Sequence, residues 1–407
     1  MRRHVLAALV LVGALSVNVL AQTTAIRAGR LIDPENGTID RDQIILIDGG
    51  TIKAVGGKVS IPTDAKVIDL SNSTVLPGLF DMHTHLCMTV KAERDNRSYY
   101  YTTLNDPDSF RAIEGVVNAR TMLEAGFTTV RDIGNEGNFS CSSVRRAIEG
   151  KMIPGPTMFN AGRIIAPYGG QFQLQPDKPK LAEPEYFFAD TRDEMVKAIR
   201  ENIHYGAKVI KIVVDDQPYI YSTEDIRFMV DEARKAGVTL AAHTWTQQGA
   251  HNAAMAGVAS IEHGFIMTDE DLEIAKKNKV VLVGTEYLAL RDAKSRPQWI
   301  DRLRRAYKVG VTMAYGTDVI DYIEGETRGT IAMSGIGPWI EAGIPPKVLL
   351  QAMTMNAARL LRVDKERGSI RVGMAADIIA TEGNPLDDAN ALKKVVFVMK
   401  NGVAVKQ

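Results

Sequence analysis

The stretch LPGLFDMHTHL, residues 76–86, is where the character of this chain changes. Before it, residues 24–73 alternate apolar and polar side chains in short runs (AIRAGRLID, DQIILIDGGTIKAVG, AKVIDLS) broken by Gly, Asn and Asp, the texture of antiparallel strands. After it, apolar runs alternate with amphipathic helical patterns, which predicts parallel βα units. The stretch itself is an apolar strand that ends on His83 and His85. Residues two apart on a strand face the same way, so both imidazoles can reach one ion if that face is inward. Alone the pair is weak evidence for a metal, because histidines also satisfy themselves by hydrogen bonding.

Working outward, eight strands can be counted: LFDMHTHL, TTVRDIG, TMFNAGR, VIKIVVD, TLAAHT, ASIEHG, VVLVGTE and TMAYGTD. Helical patterns such as DSFRAIEGVVNARTMLEAG and STEDIRFMVDEARKAG lie between them, and several close on Gly. Eight such units in series predict a (β/α)8 barrel, followed by a helix pair at ETRGTIAMSGIGPWIEAG and PPKVLLQAMTMNAARLL. The C-terminal runs GSIRVGMAADIIATEGNPL and VVFVMKNGVAVKQ share the texture of the N-terminal strands. The two chain ends are therefore expected to complete one small β-sandwich, from residues 22–77 and 368–407, flanking a barrel over residues 78–367.

Composition narrows the function. The 407 residues are 45% hydrophobic and 24% charged, with 49 basic and 49 acidic side chains, so no bulk field favours nucleic acid or an anionic membrane. A small-molecule enzyme is the expectation. The basic start MRR, the apolar run VLAALVLVGALSVNVL and the small residues of VLAQ predict a signal peptide over residues 1–21, with Ala21 the last residue removed. The apolar run is shorter than the roughly 20 residues a membrane span needs. A periplasmic or secreted protein without a membrane anchor is expected. Cys87 and Cys141 are the two cysteines, each just after a predicted strand; export makes a disulfide chemically accessible, and a bridge and two buried thiols both stand open.

In such barrels the active site lies at the C-terminal ends of the strands. His83 and His85 end the first strand, Lys211 sits in the fourth, His243 ends the fifth, His263 the sixth and Asp318 the eighth. That clustering turns a weak pair into a predicted metal centre. Lys211 lies in the apolar run KVIKIVV, where an unpaired ammonium is costly. It either pairs with Asp215 or Asp216, snorkels to the barrel mouth, or adds CO2 to become a carbamate that bridges two cations. His204 and His251 fall on helices and are expected to be structural. Arg131 is expected to pair with Asp132 or a neighbour at the rim, and Arg328 follows the eighth strand closely enough to reach the site.

The motifs PGLFDMHTH, GFTTVRD, VIKI, AAH, SIEHG, YGTD and MNAARLL, followed by GSIRVGMAADIIA, together resemble the amidohydrolase superfamily, and within it the imidazolonepropionase-related and Xaa-Pro dipeptidase (prolidase)-like branch. The resemblance implies an α/β fold, a distorted (β/α)8 TIM-like barrel with a β-sandwich from both chain ends. It implies two divalent ions, zinc in the usual member: one held by His83, His85 and Asp318, the other by His243 and His263, with carboxylated Lys211 bridging them. The activity implied is hydrolysis of an amide by metal-activated hydroxide, with Asp318 moving the proton to the leaving amine. A dipeptide of Xaa-Pro type or an N-acyl amino acid is the expected substrate.

The chain also departs from that pattern. Where relatives carry a Gly-Gly-His loop, APYGGQFQ places Gln171, and VDDQPYIYSTED offers the phenols of Tyr219 and Tyr221 to polarise a carbonyl. A single-metal hydrolase of a cyclic amide or lactone, as in imidazolonepropionase, is the first alternative, and Lys211 speaks against it. A non-catalytic periplasmic peptide-binding protein is the second, and Asp318 speaks against that. A homo-oligomer is compatible with either.

Overall fold

Pro77 and Gly78 separate two bodies of strands in the computed structural model, which describes residues 23–134 and 136–407. The predicted signal peptide falls on residues 1–21, outside the described part. On the N-terminal side lie β1 (Thr24–Asp33), β2 (Thr38–Asp48), β3 (Thr51–Gly56) and β4 (Lys66–Pro77). On the other side come β5 (Leu79–Thr84), β6 (Phe127–Asp132), β7 (Thr157–Asn160), β8 (Ile164–Ala166), β9 (Tyr186–Phe188), β10 (Val209–Val213), β11 (Thr239–Thr244), β12 (Ser260–His263), β13 (Val281–Gly284) and β14 (Met313–Tyr315). The chain ends with β15 (Ile378–Thr381), β16 (Val395–Lys400) and β17 (Val403–Lys406).

All eight expected barrel strands form: β5, β6, β7 and β10 to β14. They pair in parallel as β5-β6-β7 and as β8-β10-β11-β12-β13-β14. The two runs meet where Lys208 N–H donates to the Asn160 carbonyl at 2.7 Å, and they close where Asp318 N–H donates to the His83 carbonyl at 2.8 Å. β8 and β9 were not expected; they insert beside β10 and give the barrel its distortion. On β10, Ile210 and Ile212 join the large core under the helices, whereas Val209 packs inside the barrel with Ile133, Ala161 and Ala241. Lys211 has the inward parity of Val209.

The two chain ends build one mixed sheet in the order β17-β16-β15-β4-β1-β2-β3. It bends over its own core of Ile26, Ile45, Ile52, Val75, Ile378 and Phe397. Its far edge returns to the segment before β15, where Ile52 N–H donates to the Met374 carbonyl and Gly373 N–H to the Ile52 carbonyl, each at 2.9 Å. This is the sandwich-like body made from both ends.

The expected late helix pair is instead four short helices, Arg328–Ser334, Ile336–Glu341, Pro346–Ala352 and Met355–Leu360. The first break falls at Gly335, where a Cβ would stand 2.6 Å from the Tyr315 hydroxyl. That hydroxyl donates to the Ala332 carbonyl at 2.6 Å, satisfying one of the carbonyls the helix end leaves open. Cys87 and Cys141 are joined as a disulfide, tying the loop after β5 to the start of helix Ser140–Glu149. Among the described residues no helix is long and apolar enough to cross a membrane.

Candidate metal centre

The six residues singled out as metal ligands line one cavity of about 300 Å³ at the C-terminal ends of the barrel strands. His83 comes from β5 and His85 from the residue just after it, Lys211 from β10, His243 from β11, His263 from β12 and Asp318 from the turn after β14. Asp318 is the hub: its Oδ1 lies 3.1 Å from His85 Nε2 and 3.6 Å from His83 Nε2, and its Oδ2 lies 3.9 Å from His263 Nδ1. The His263 ring is 4.8 Å from that of His83 and 4.7 Å from that of His243, centroid to centroid.

Backbone geometry helps to aim these groups. His83 and His85 share a face by strand alternation, but alternation should send His263 away from Glu262. His263 instead has φ of 65° and Asp318 φ of 59°, left-handed conformations that are uncommon for residues with a Cβ. The turn at His263 lets both it and Glu262 face the interior. Such outliers concentrate at functional sites, where the surrounding structure enforces them.

The imidazoles are held by partners on their outer nitrogens. His83 Nδ1 is 2.9 Å from Glu262 Oε2, and Glu262 Oε1 accepts from Arg131 Nη2 at 2.7 Å and from Ser260 Oγ at 2.5 Å. His85 Nδ1 is 2.7 Å from the Gly134 carbonyl, and His263 Nδ1 is 2.8 Å from Thr285 Oγ1. A donor N–H fixed at Nδ1 leaves Nε2 with its lone pair free toward the cavity. Arg131 therefore pairs with Glu262 and not with Asp132, because adjacent strand residues point to opposite faces; the Asp132 carboxylate takes Thr84 Oγ1 and Leu86 N–H instead.

Electrostatics favours the ligating form of His83, His263 and Asp318, whereas at His85 burial is outweighed by the Asp318 carboxylate, which raises the imidazole above its ordinary range. Burial, and then the Lys211 charge, holds His83 well below the ordinary histidine range; burial and then His243 do the same for His263. Both shifts are toward the neutral form that a ligand needs. Burial alone would raise Asp318, but His83, His85 and Lys211 outweigh it and hold the carboxyl at about 2. Burial pulls Lys211 down to about 8. No ion pair of Lys211 forms among the described residues: the Asp215 carboxylate takes the N–H groups of Trp245 and Thr246, and Asp216 turns to Gln171. His243 Nε2 is buried and has no hydrogen-bond partner, although Asp216 Oδ2 lies 3.0 Å away out of alignment. An orphaned imidazole nitrogen beside neutral histidines and ionised Asp318 is the donor set that a borderline divalent ion takes.

The other expected site residues divide. Gln171 lines the cavity, with its Nε2 donating to Asp216 Oδ2 at 2.6 Å and its Oε1 accepting from the Tyr186 hydroxyl at 2.6 Å. Tyr219 and Tyr221 do not line it. Tyr219 is 80% exposed on a neighbouring depression, and the buried Tyr221 hydroxyl donates to the Ala189 carbonyl at 2.7 Å. Arg328 also stays outside, donating to the backbone carbonyls of His85, Met88 and Val319. His251 pairs with Asp271 on the outer helices, as a structural histidine would. Sequence reasoning missed Glu262 and the cavity roles of Asp216 and Tyr99; a buried acid between two strand-end positions of SIEHG was the available signal for the first.

An amidohydrolase family model matches residues 74–405. An ochratoxinase of Aspergillus niger is 29% identical over 95% of this chain and 87% of the relative. An imidazolonepropionase of Brevibacillus brevis is 22% identical over 90% of this chain and 91% of the relative. Among solved structures, a Xaa-Pro dipeptidase with methionine bound in its active site superposes with a TM-score of 0.85 at 31% identity, covering 95% of this chain and 100% of that one.

Proposed function

This chain belongs to the amidohydrolase family, and from that premise we propose that it is an exported, two-metal hydrolase cleaving the amide bond of a dipeptide, of Xaa-Pro type, or of an N-acyl amino acid. That it is a hydrolase acting on carbon–nitrogen bonds follows from the family and its relatives. The observation that carries the two-metal reading is Lys211, buried in the cavity wall beside four imidazoles and Asp318 and without an ion pair among the described residues. Addition of CO2 to its neutral amine forms a nitrogen–carbon bond and releases one proton, replacing an unpaired buried cation with an anion. His83, His85 and Asp318 would hold one ion and His243 and His263 the other, with carboxylated Lys211 supplying anionic oxygen to the pair.

Divalent ions bound here would lower the pKa of a water and polarise the substrate carbonyl, with zinc the expected metal. The rest falls to the chain. Asp318, ionised and facing the cavity, takes the proton from the attacking water and delivers it to the departing nitrogen, so that the amine leaves neutral. Glu262 keeps the His83 ring in register, and Arg131 holds Glu262 in place. A single-metal cyclic-amide hydrolase would leave Lys211 without a role. Export is supported by the Cys87–Cys141 disulfide, since such bonds persist in oxidising compartments.

The test is turnover of a panel of dipeptides and N-acyl amino acids by purified, metal-loaded protein. Hydrolysis of at least one class is expected, with Asp318→Asn slower by about 10²–10⁴-fold. Metal-loaded protein that binds such compounds and cleaves none would overturn the proposal.

A further inference from the structure

The cavity carries one charged group outside the six candidate ligands, although its oxygens lie close enough to those of Asp215 and to His243 to share an ion with them. Asp216, just beyond β10, lines the same cavity as the six candidate ligands, and its side chain is 21% exposed. Its Oδ2 accepts from Gln171 Nε2, and the Tyr186 hydroxyl, from a ring that is 2% exposed, bonds Gln171 Oε1 and so fixes which way the amide points. Oδ1 has no hydrogen-bond partner among the described residues. The carboxylate is therefore held by a relay anchored on the buried Tyr186 ring, with one oxygen open to the cavity. Around it the wall is apolar, with Met88, Ile164, Leu288, Ile320 and Trp245. Trp245 is 45% exposed; it stacks on His243 at 6.1 Å with an interplanar angle of 8° and is backed edge-on by Phe265 at 5.5 Å.

We infer that Asp216 is the receptor for the free α-ammonium of an aminoacyl substrate whose apolar side chain lies on the Trp245 wall, which makes a dipeptide with a free amino end the substrate class. The inference rests on the amide-hydrolase reading above and refines it. In an aminoacyl amide the α-nitrogen is two bonds from the carbonyl carbon, so whatever reads it must sit beside the metal centre. Asp216 does, 3.0 Å from the Nε2 of His243. A charge-assisted hydrogen bond from ammonium to carboxylate is among the stronger polar contacts, and a shielded site strengthens it. An N-acyl substrate offers no such cation and turns a carbonyl oxygen toward the same carboxylate.

The experiment compares kcat/KM for phenylalanyl-proline and N-acetyl-phenylalanyl-proline, which share one scissile bond, on wild type and Asp216→Asn, with bound metal measured for each. Because the ratio compares two substrates on one protein, it does not depend on the folded fraction. Wild type should favour the free amine by about tenfold or more, the scale of one charged contact, and Asp216→Asn should bring the ratio near one with metal content unchanged. A wild-type ratio near one, a ratio that Asp216→Asn leaves intact, or loss of metal from the variant would each overturn the inference, the last by making Asp216 a metal ligand. Failure to cleave either compound by an enzyme that hydrolyses other amides would overturn this inference alone. Failure on every amide would overturn the underlying reading with it.

Discussion

Both oxygens of Glu262 are engaged, one with the Arg131–Ser260 pair and one with His83 Nδ1, and the whole group is buried. Changing it to Gln keeps the volume but puts an amide N–H₂ where one of two donors now points. Partners of this kind are worth about 10–100-fold in metal affinity or activity. Glu262→Gln should therefore give up metal to a chelator at about 10–100-fold lower concentration while far-ultraviolet dichroism stays native; unchanged retention would remove Glu262 from the account of the site. At this scale the six candidate ligands were legible, because strand-end positions of a barrel converge whatever their separation in sequence. Glu262 was not, since its bond to His83 spans 179 residues and a lone acid in a strand announces no partner. Tyr219 and Tyr221 failed for a related reason: the sequence offers a phenol near the site but not its direction, and the loop aims both away.

The loops after β5 and β6 form a unit whose stability is testable by itself. The Cys87–Cys141 bridge closes a separation of 54 residues, and Gly115, on helix Asp108–Glu124, packs against it so tightly that a Cβ would stand 2.6 Å from Cys87 Sγ and 3.0 Å from Val144. Replacing both cysteines by serine should lower the unfolding free energy by about 2–4 kcal/mol. Gly115→Ala should cost about 1–3 kcal/mol through overpacking. Urea denaturation reads both. In the same region Glu136 accepts from Gly162 N–H at 2.6 Å and Ser142 N–H at 3.2 Å, and burial, then the charge of Asp132, pushes it from 4.5 up to about 8. An acid raised on folding binds more protons folded than unfolded across that window. Its contribution to stability is complete below 4.5 and is lost as pH rises through about 8. The stability of Glu136→Gln relative to wild type should therefore climb from about pH 5 to about pH 9; a flat difference would mean that Glu136 ionises normally. Element type was readable from the sequence wherever a pattern ran long enough. β8 and β9, at three residues each, are too short to show a period, and the late helices were overrun because Gly335 marks a break only once Tyr315 is known to press on it.

Over the whole molecule, one seven-stranded sheet takes strands from both chain ends, and a barrel is closed by main-chain bonds between the turn after β14 and β5. The closing bonds run through His83 and Asp318, which are also candidate ligands, so ions at the site would join five strands that are otherwise linked only through their neighbours. Ligands that bind the folded chain stabilise it by mass action, by about 4 kcal/mol at a thousandfold excess over Kd. Chelation should accordingly lower Tm by several degrees and metal readdition restore it; a Tm indifferent to metal would mean that the cavity holds none. The alternation of strand and helix made the barrel legible. The joining of the two ends was legible only as shared texture, because register between distant strands is set by contacts no local pattern records.

The two-metal reading turns on Lys211. Metal content per chain of the purified protein, beside that of Lys211→Ala, tests it most directly. Two equivalents in wild type, falling to one or fewer in the variant with loss of amide hydrolysis, is the predicted result; a single equivalent in wild type, or an unchanged content and full activity in Lys211→Ala, would contradict it.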